Sequence, residues 1–180
     1  RIRSVDRLNL CSMSGRLRNI CAQLHQQNLE GLIVSLSANI SYLTEYPSRD
    51  SYLLVSKKEN IYFTDSRYTQ EAKANFAPGI KVVQADGSVF KFISDACLGL
   101  GLKRVGFEER YLPFAEYAKI KDGLNNKVIL IPTHSLIEEL REIKDAQEVE
   151  KIRKATRIAS LALEYIENCL LPGKKEIEIV

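Results

Sequence analysis

The sequence predicts an α/β fold in which a six-stranded mixed sheet, flanked by helices, is followed by one long C-terminal helix. Three observations carry this expectation. Six short apolar segments (Leu32 to Val34, Tyr52 to Val55, Ile61 to Phe63, Lys81 to Val83, Arg104 to Phe107 and Val128 to Ile131) are set between polar or glycine-containing connections. From Ser66 onward they alternate with segments of helical period, which calls for crossover helices on both faces of a sheet. Beyond Lys144 a single helical pattern runs for about seven turns without a break.

The elements follow in order. Leu17, Ile20, Cys21 and Leu24 recur at helical spacing behind Ser14, a favourable N-cap, and define an amphipathic first helix that Asn28 to Gly31 ends. Ala38 to Leu43 reads as a short helical turn before Pro47. Tyr52 to Val55 and Ile61 to Phe63 flank Lys57-Lys58-Glu59-Asn60, a connection of hairpin length, and should pair antiparallel. A helix from Ser66 to about Asn75, capped by Asp65 or Ser66, leads to the strand Lys81 to Val83 and the turn Asp86-Gly87. In the next helix Val89, Ile93, Ala96, Cys97 and Leu100 hold the 3.6 period and Gly99 and Gly101 close it. Pro113 at N1 and Gly123 past the end bracket the fifth helix, before the strand at Val128 to Ile131.

Asp145 and Glu148 have capping-box spacing and open the long helix, expected to run to Leu171, where Pro172-Gly173 stops it. From Ile158 onward its polar positions, Ser160, Glu164, Glu167 and Asn168, fall within a sector of about 100°. So broad an apolar face needs cover on more than one side. A coiled-coil seam would accommodate the 3-4 spacing, but Ala155, Thr156 and Ala159 are small for a zipper. The expectation is that the 180 residues are the front part of a longer protein. Residues 1–13 are set aside as a leader or cloning scar ending in a candidate start at Met13; residues 14–132 form the α/β domain; residues 133–180 are a linker and the beginning of a further domain.

With 45% apolar and 27% charged residues the composition is that of a globular protein and excludes disorder. The formal charge of +3 is concentrated in residues 1–18, where five arginines face Asp6 alone, so the body of the chain is near neutral and carries no cationic face for nucleic acid. No apolar run approaches the ~18 residues of a membrane span. Cys11, Cys21, Cys97 and Cys169 are widely spaced and read as reduced, mostly buried thiols. With no secretory pattern at the N-terminus, the cytoplasm is the expected compartment, and Asn39-Ile40-Ser41 is a coincidental glycosylation match.

No catalytic constellation is visible. The chain has two histidines, His25 and His134, without metal-ligand spacing, and both read as surface or capping residues. A Gly-x-Ser-x-Gly elbow is absent, and Gly99-Leu100-Gly101 follows a helix and precedes a strand, the reverse of a phosphate-binding turn. Glu108-Glu109 reads as a solvated strand exit rather than part of a two-metal nuclease centre. Asp65-Ser66-Arg67-Tyr68 concentrates polar groups at a strand-to-helix junction, where capping and an ion pair account for them.

Several segments in this order resemble the N-terminal domain of the Xaa-Pro aminopeptidases and prolidases, a family related to creatinase. They are Arg16-Leu17, Gly31 to Val34, Asn39 to Thr44, Tyr62 to Tyr68, and the join of Ile143-Lys144-Asp145, Glu148, Ile152 to Ala155 and Leu171-Pro172-Gly173. The resemblance implies a ribonuclease H-like sheet domain whose long helix begins a pita-bread catalytic domain. It implies a cytosolic hydrolase that cleaves the bond before proline in peptides with proline in the second position. It also implies two divalent ions, manganese or cobalt, held by two Asp, one His and two Glu beyond the Pro-Gly turn. On that reading no catalytic or metal-binding residue lies in this chain, which alone is expected to be inactive. The domain's implied roles are homodimerisation and placement of the segment Ser37 to Asp50 near the partner's active site. Tyr46, Arg49 and Asp50 are then candidate substrate-access residues, and Tyr42, Arg67 and Tyr68 candidate interface residues, although a salt-bridged surface loop and half-buried tyrosines explain them as well. Where the family usually has Gly after Tyr-Leu-Thr, this chain has Glu45-Tyr46. A non-catalytic binding or dimerisation module on the same fold is the alternative.

Overall fold

The computed structural model describes residues 14–76, 78–170, 172–175 and 177. The expectations for Cys11, Met13 and Leu171 fall outside them. The element order is α1 (Gly15–Gln26), β1 (Gly31–Val34), α2 (Ser37–Thr44), β2 (Ser51–Ser56), β3 (Asn60–Thr64), α3 (Ser66–Asn75), β4 (Ile80–Gln84), α4 (Val89–Gly99), β5 (Arg104–Glu108), α5 (Phe114–Gly123), β6 (Ile129–Thr133), α6 (Leu136–Glu142) and α7 (Ala146–Cys169). The six strands form one mixed sheet in the order β4-β3-β2-β1-β5-β6. The β2–β3 hairpin and the β1–β2 pair are antiparallel; β3–β4, β1–β5 and β5–β6 are parallel.

Both faces of the central strands are buried, which is why they read as continuous apolar runs rather than alternations. The pleat sends Leu32, Val34, Leu53, Val55 and Tyr62 to one face, where they meet Leu17, Ile20, Cys21 and Leu24 of α1, Ile40 and Leu43 of α2, and Ala72 of α3. Ile33, Leu54, Ile61, Phe63 and Val105 face the other way, onto Ile93 and Cys97 of α4 and Ile120 of α5. Helices α4 and α5 approach so closely that a Cβ on Gly123 would lie 2.6 Å from the Ser94 hydroxyl, which itself donates to the Ile120 carbonyl.

Local differences from expectation have simple causes. Pro113 serves as N-cap with extended ψ rather than as N1, and Gly123 is the last helical residue of α5. Strand β6 continues through Pro132 because it is an edge strand, where a missing N–H breaks no ladder. Helix α6 was not foreseen; its Leu136 and Ile137 complete the core on the α1 side.

The chain divides into two compact units, residues 1–140 and 141–180. In the second, α7 opens with a complete capping box: the Glu148 N–H donates to the Asp145 carboxylate at 2.8 Å, and the Asp145 N–H to the Glu148 carboxylate at 2.9 Å. The helix closes at Cys169, where Leu170 leaves helical geometry at ψ 81°, two residues ahead of Pro172, whose ring excludes the preceding turn. No residue of α7 is buried. No helix among the described residues is long and apolar enough to cross a membrane.

Burial pushes the thiol pKa of Cys21 to about 11 and that of Cys97 to about 12, whereas Cys169 is only partly covered. In a Cys11→Ser background, iodoacetamide at about pH 8 is therefore expected to alkylate Cys169 in the folded chain and to spare Cys21 and Cys97 until denaturant is added. Native-state labelling of either core thiol, read by peptide mass, would contradict this packing.

Candidate functional site

The site grows from the junction of β1 with α2. Helix α2 receives no side-chain hydrogen bond from its own N-cap, Leu36, and the amides of Ser35 and Leu36, which lead into the helix, need an acceptor outside it. The acceptor comes from the neighbouring parallel strand. Glu108, last residue of β5 and only 6% exposed, accepts from the N–H groups of Ser35 (2.6 Å) and Leu36 (2.8 Å) and from the Ser35 hydroxyl (3.0 Å) on one oxygen. Its other oxygen accepts from the Asn39 amide at 2.6 Å. The same amide nitrogen donates to Glu138 of α6 at 2.8 Å, tying α2 to a third element.

This corrects the reading of Glu108-Glu109 as a solvated pair. Successive strand residues face opposite ways, so Glu109 alone is exposed, where it pairs with His134 at 2.7 Å, while Glu108 turns inward. Burial holds the Glu108 pKa above the usual carboxylate value, against four donors that act to lower it. Asn39 is fully buried, as befits an incidental match to a glycosylation motif.

Helix α2 ends at Glu45, which takes the left-handed conformation at φ 57°. That is the backbone geometry a glycine supplies at this point, so the departure from Gly leaves the turn's form intact at a cost of about 1 kcal/mol. The loop that follows is pinned by the Ser48 N–H, which donates to the Ser41 hydroxyl at 2.8 Å, and by the Thr44 hydroxyl, which donates to the Ile40 carbonyl at 2.8 Å.

The candidate residues sort into three groups. Asp50 does not pair with its neighbour Arg49; its carboxylate takes the Arg67 guanidinium at 3.0 Å, and Arg67 also binds Asp65, the N-cap of α3, at 2.6 Å. Arg67 thereby holds the Asp65 carboxyl below the usual range. Tyr46, Arg49 and Tyr68, with Pro47, Tyr62 and Glu71, line a hollow of about 150 Å³ between this loop and α3. Tyr42 stands apart, its ring under the Arg16 guanidinium at 4.4 Å and its hydroxyl donating to the Leu140 carbonyl at 3.3 Å.

Phe76 packs edge-on against two of these rings, Tyr46 at 5.1 Å and Tyr62 at 4.7 Å. Burial, then the Glu71 carboxylate that its hydroxyl faces, pushes the Tyr46 pKa up. Among the described residues the buried Tyr62 hydroxyl has no hydrogen-bond partner, an arrangement that costs about 1 to 3 kcal/mol. Glu71 was not singled out from the sequence, and there Glu108 and Asn39 were read only as a solvated strand exit and an incidental glycosylation match, and Tyr62 only as part of the family-like run Tyr62 to Tyr68. The available signal for Tyr62 was its phenol, the one polar side-chain atom in a run of buried apolar residues.

Among the described residues no group of three or more His, Cys, Asp and Glu side chains is placed to hold a metal ion. His25 lies in the last turn of α1, away from these groups.

Comparison with known proteins places this geometry. The model of the creatinase/prolidase N-terminal domain matches residues 16–143. The chain belongs to that family. Among curated relatives of this creatinase/prolidase-type chain, a peptidase of Bacillus subtilis named YqhT, described as uncharacterized, is 28% identical over 164 residues, 91% of the chain and 45% of the relative. Among solved structures, an Xaa-Pro dipeptidase from Bacillus anthracis superposes with a TM-score of 0.81 at 27% identity, again over 91% of this chain and 45% of that one. An aminopeptidase P from Streptococcus thermophilus gives a TM-score of 0.62 at 29% identity over 70% of this chain and 95% of that one. The creatinase/prolidase-type chain thus spans about half the length of the curated relatives it matches.

Replacing Glu108 by Ala would strand the Ser35 and Leu36 amides in the interior. A loss of about 3 kcal/mol or more is expected in urea unfolding of Glu108→Ala. A loss below about 1 kcal/mol would remove the buried carboxylate from its anchoring role.

Proposed function

We propose that this chain is the N-terminal domain of a metal-dependent Xaa-Pro peptidase of the aminopeptidase P or prolidase type, acting on peptides with proline in the second position. The observation that carries the reading is the family match over residues 16–143, supported by the likeness to the Bacillus anthracis Xaa-Pro dipeptidase. Residues 14–132 form the domain proper and residues 133–180 lead into the catalytic domain. The intact enzyme is a cytoplasmic homodimer that uses two divalent ions, manganese or cobalt. The donor groups among the described residues do not fit such a pair of ions, so no step of hydrolysis is assigned to this chain.

What the chain supplies is position. Tyr46, Arg49 and Asp50 stand at the substrate entrance of the partner protomer, and Tyr42, Arg67 and Tyr68 belong to the surface between protomers. The Asp50–Arg67 ion pair, which ties the access loop to α3, favours joint placement of the two groups. Arg49 makes no ion pair among the described residues, which leaves its charge available to a peptide carboxylate.

The test is made on the intact protein. Manganese- or cobalt-dependent cleavage of Xaa-Pro dipeptides or longer Xaa-Pro peptides is expected, with Arg49→Ala raising KM for short substrates by about fivefold to tenfold and leaving kcat little changed. Unchanged kinetics would remove the loop from substrate binding. Absence of cleavage under any metal would leave a binding or dimerisation module instead.

A further inference from the structure

Two carboxylates meet at one amide nitrogen. Asn39 Nδ2 donates to Glu108 Oε1 at 2.6 Å and to Glu138 Oε1 at 2.8 Å, so the end of β5 and the first turn of α6 share a donor on α2. Glu108 is buried, Glu138 is half-buried, and neither forms an ion pair among the described residues. A second negative charge so near disfavours ionisation of a carboxylate that is already short of water. The two oxygens of Glu108 are not equivalent. Oε2 accepts from the Ser35 N–H, the Ser35 hydroxyl and the Leu36 N–H, which uses all its lone pairs. Among the described residues Oε1 accepts from Asn39 alone, so a lone pair is left there for a proton. A cavity of about 10 Å³, the size of one water, is lined by both Glu108 and Glu138. Of the other ionisable groups nearby, Glu109 pairs with His134 at 2.7 Å, and Arg110 and Tyr111 border the cavity without bonding either carboxylate. The α2 side presents Ser35, Leu36 and Asn39, none of which titrates, and β1 presents Leu32.

We propose that Glu108 and Glu138 form a proton-operated clasp, in which mild acidification of the folded chain places one proton on Glu108 Oε1 and draws α2, β5 and α6 together. The new O–H donates toward Glu138 through the water-sized cavity, which replaces a repulsion by a hydrogen bond, while Oε2 keeps its three donors. The sign follows from burial, which already holds Glu108 above the usual carboxylate range. When the clasp opens, Glu108 regains water and its ordinary proton affinity, so the proton favours the closed form. That added stability is complete below the ordinary glutamate range and is lost as pH rises through the raised value. A return to neutral pH therefore weakens the hold on the start of α2, and with it on the loop that leaves the other end of that helix.

The test is a carbon-13 NMR titration of the glutamate carboxyl carbons in the folded 180-residue chain, with exposed Glu150 as internal reference. Glu108 is expected to take up its proton about one pH unit or more above Glu150. Glu138→Gln keeps an oxygen for the Asn39 amide and removes the charge, so it should lower that midpoint by about half a unit or more. Because a histidine titrates in the same range, the titration is repeated in His134→Gln, where the Glu108 midpoint should hold to within about 0.2 units. In urea unfolding Glu138→Gln should be more stable than the parent at about pH 7.5 and lose that advantage at about pH 5, where the parent already holds the proton. Glu108 titrating together with Glu150, a midpoint unmoved by Glu138→Gln or displaced by His134→Gln, or a stability difference that is the same at both pH values would each overturn the proposal. Peptide cleavage enters none of these readouts, so failure here leaves the peptidase reading standing.

Discussion

Glu108 closes β5 inside the protein, and its carboxylate is the acceptor on which the start of α2 depends. Burying a charge is costly unless donors replace its water, and here two backbone amides, a hydroxyl and a carboxamide do so. The amides at a helix N-terminus also favour a negative charge, so anchor and helix stabilise one another. The loop bearing Tyr46, Arg49 and Asp50 hangs from the other end of that eight-residue helix. Its position is therefore set by the parallel pairing of β1 with β5, which brings Glu108 beside Ser35, as much as by the loop's own bonds.

The segments through which the chain resembles its family acquire physical reasons in the structure. Gly31 is small because a Cβ there would sit 3.1 Å from both the Val55 carbonyl oxygen and a Leu102 methyl. In the run Tyr62 to Tyr68, Tyr62 and Phe63 face opposite core layers, Asp65 caps α3, and Arg67 joins Asp65 to Asp50 while lying over the Tyr68 ring at 5.0 Å. Asn39, in the family-like stretch Asn39 to Thr44, is the bridge between Glu108 and Glu138. Most of these residues act by shaping the domain, which agrees with a role in positioning rather than in bond breaking.

Much of the fold was legible because its causes are local. Strands buried on both faces are continuous apolar runs, helices α1 and α4 carry their period openly, and the capping box of α7 lies within four consecutive residues. The site was less legible because its contacts are remote. Glu108 and Glu109 are the same residue type side by side, and only the pleat together with donors some seventy positions earlier separates a buried anchor from a solvated charge. Arg49 and Asp50 are neighbours that the chain suggests as a pair, yet Asp50 reaches across 17 positions to Arg67. Helix α6 was missed because seven residues with two buried side chains leave too little periodicity to recognise.

Native-state hydrogen exchange at the Ser35 and Leu36 amides tests the central dependence most directly. If the buried Glu108 carboxylate is their acceptor, both amides exchange as slowly as those of β1, close to the rate of global unfolding. Exchange at the rate of an exposed loop would mean that the start of α2 is not held by Glu108, and the placement of the loop beyond it would lose its physical basis.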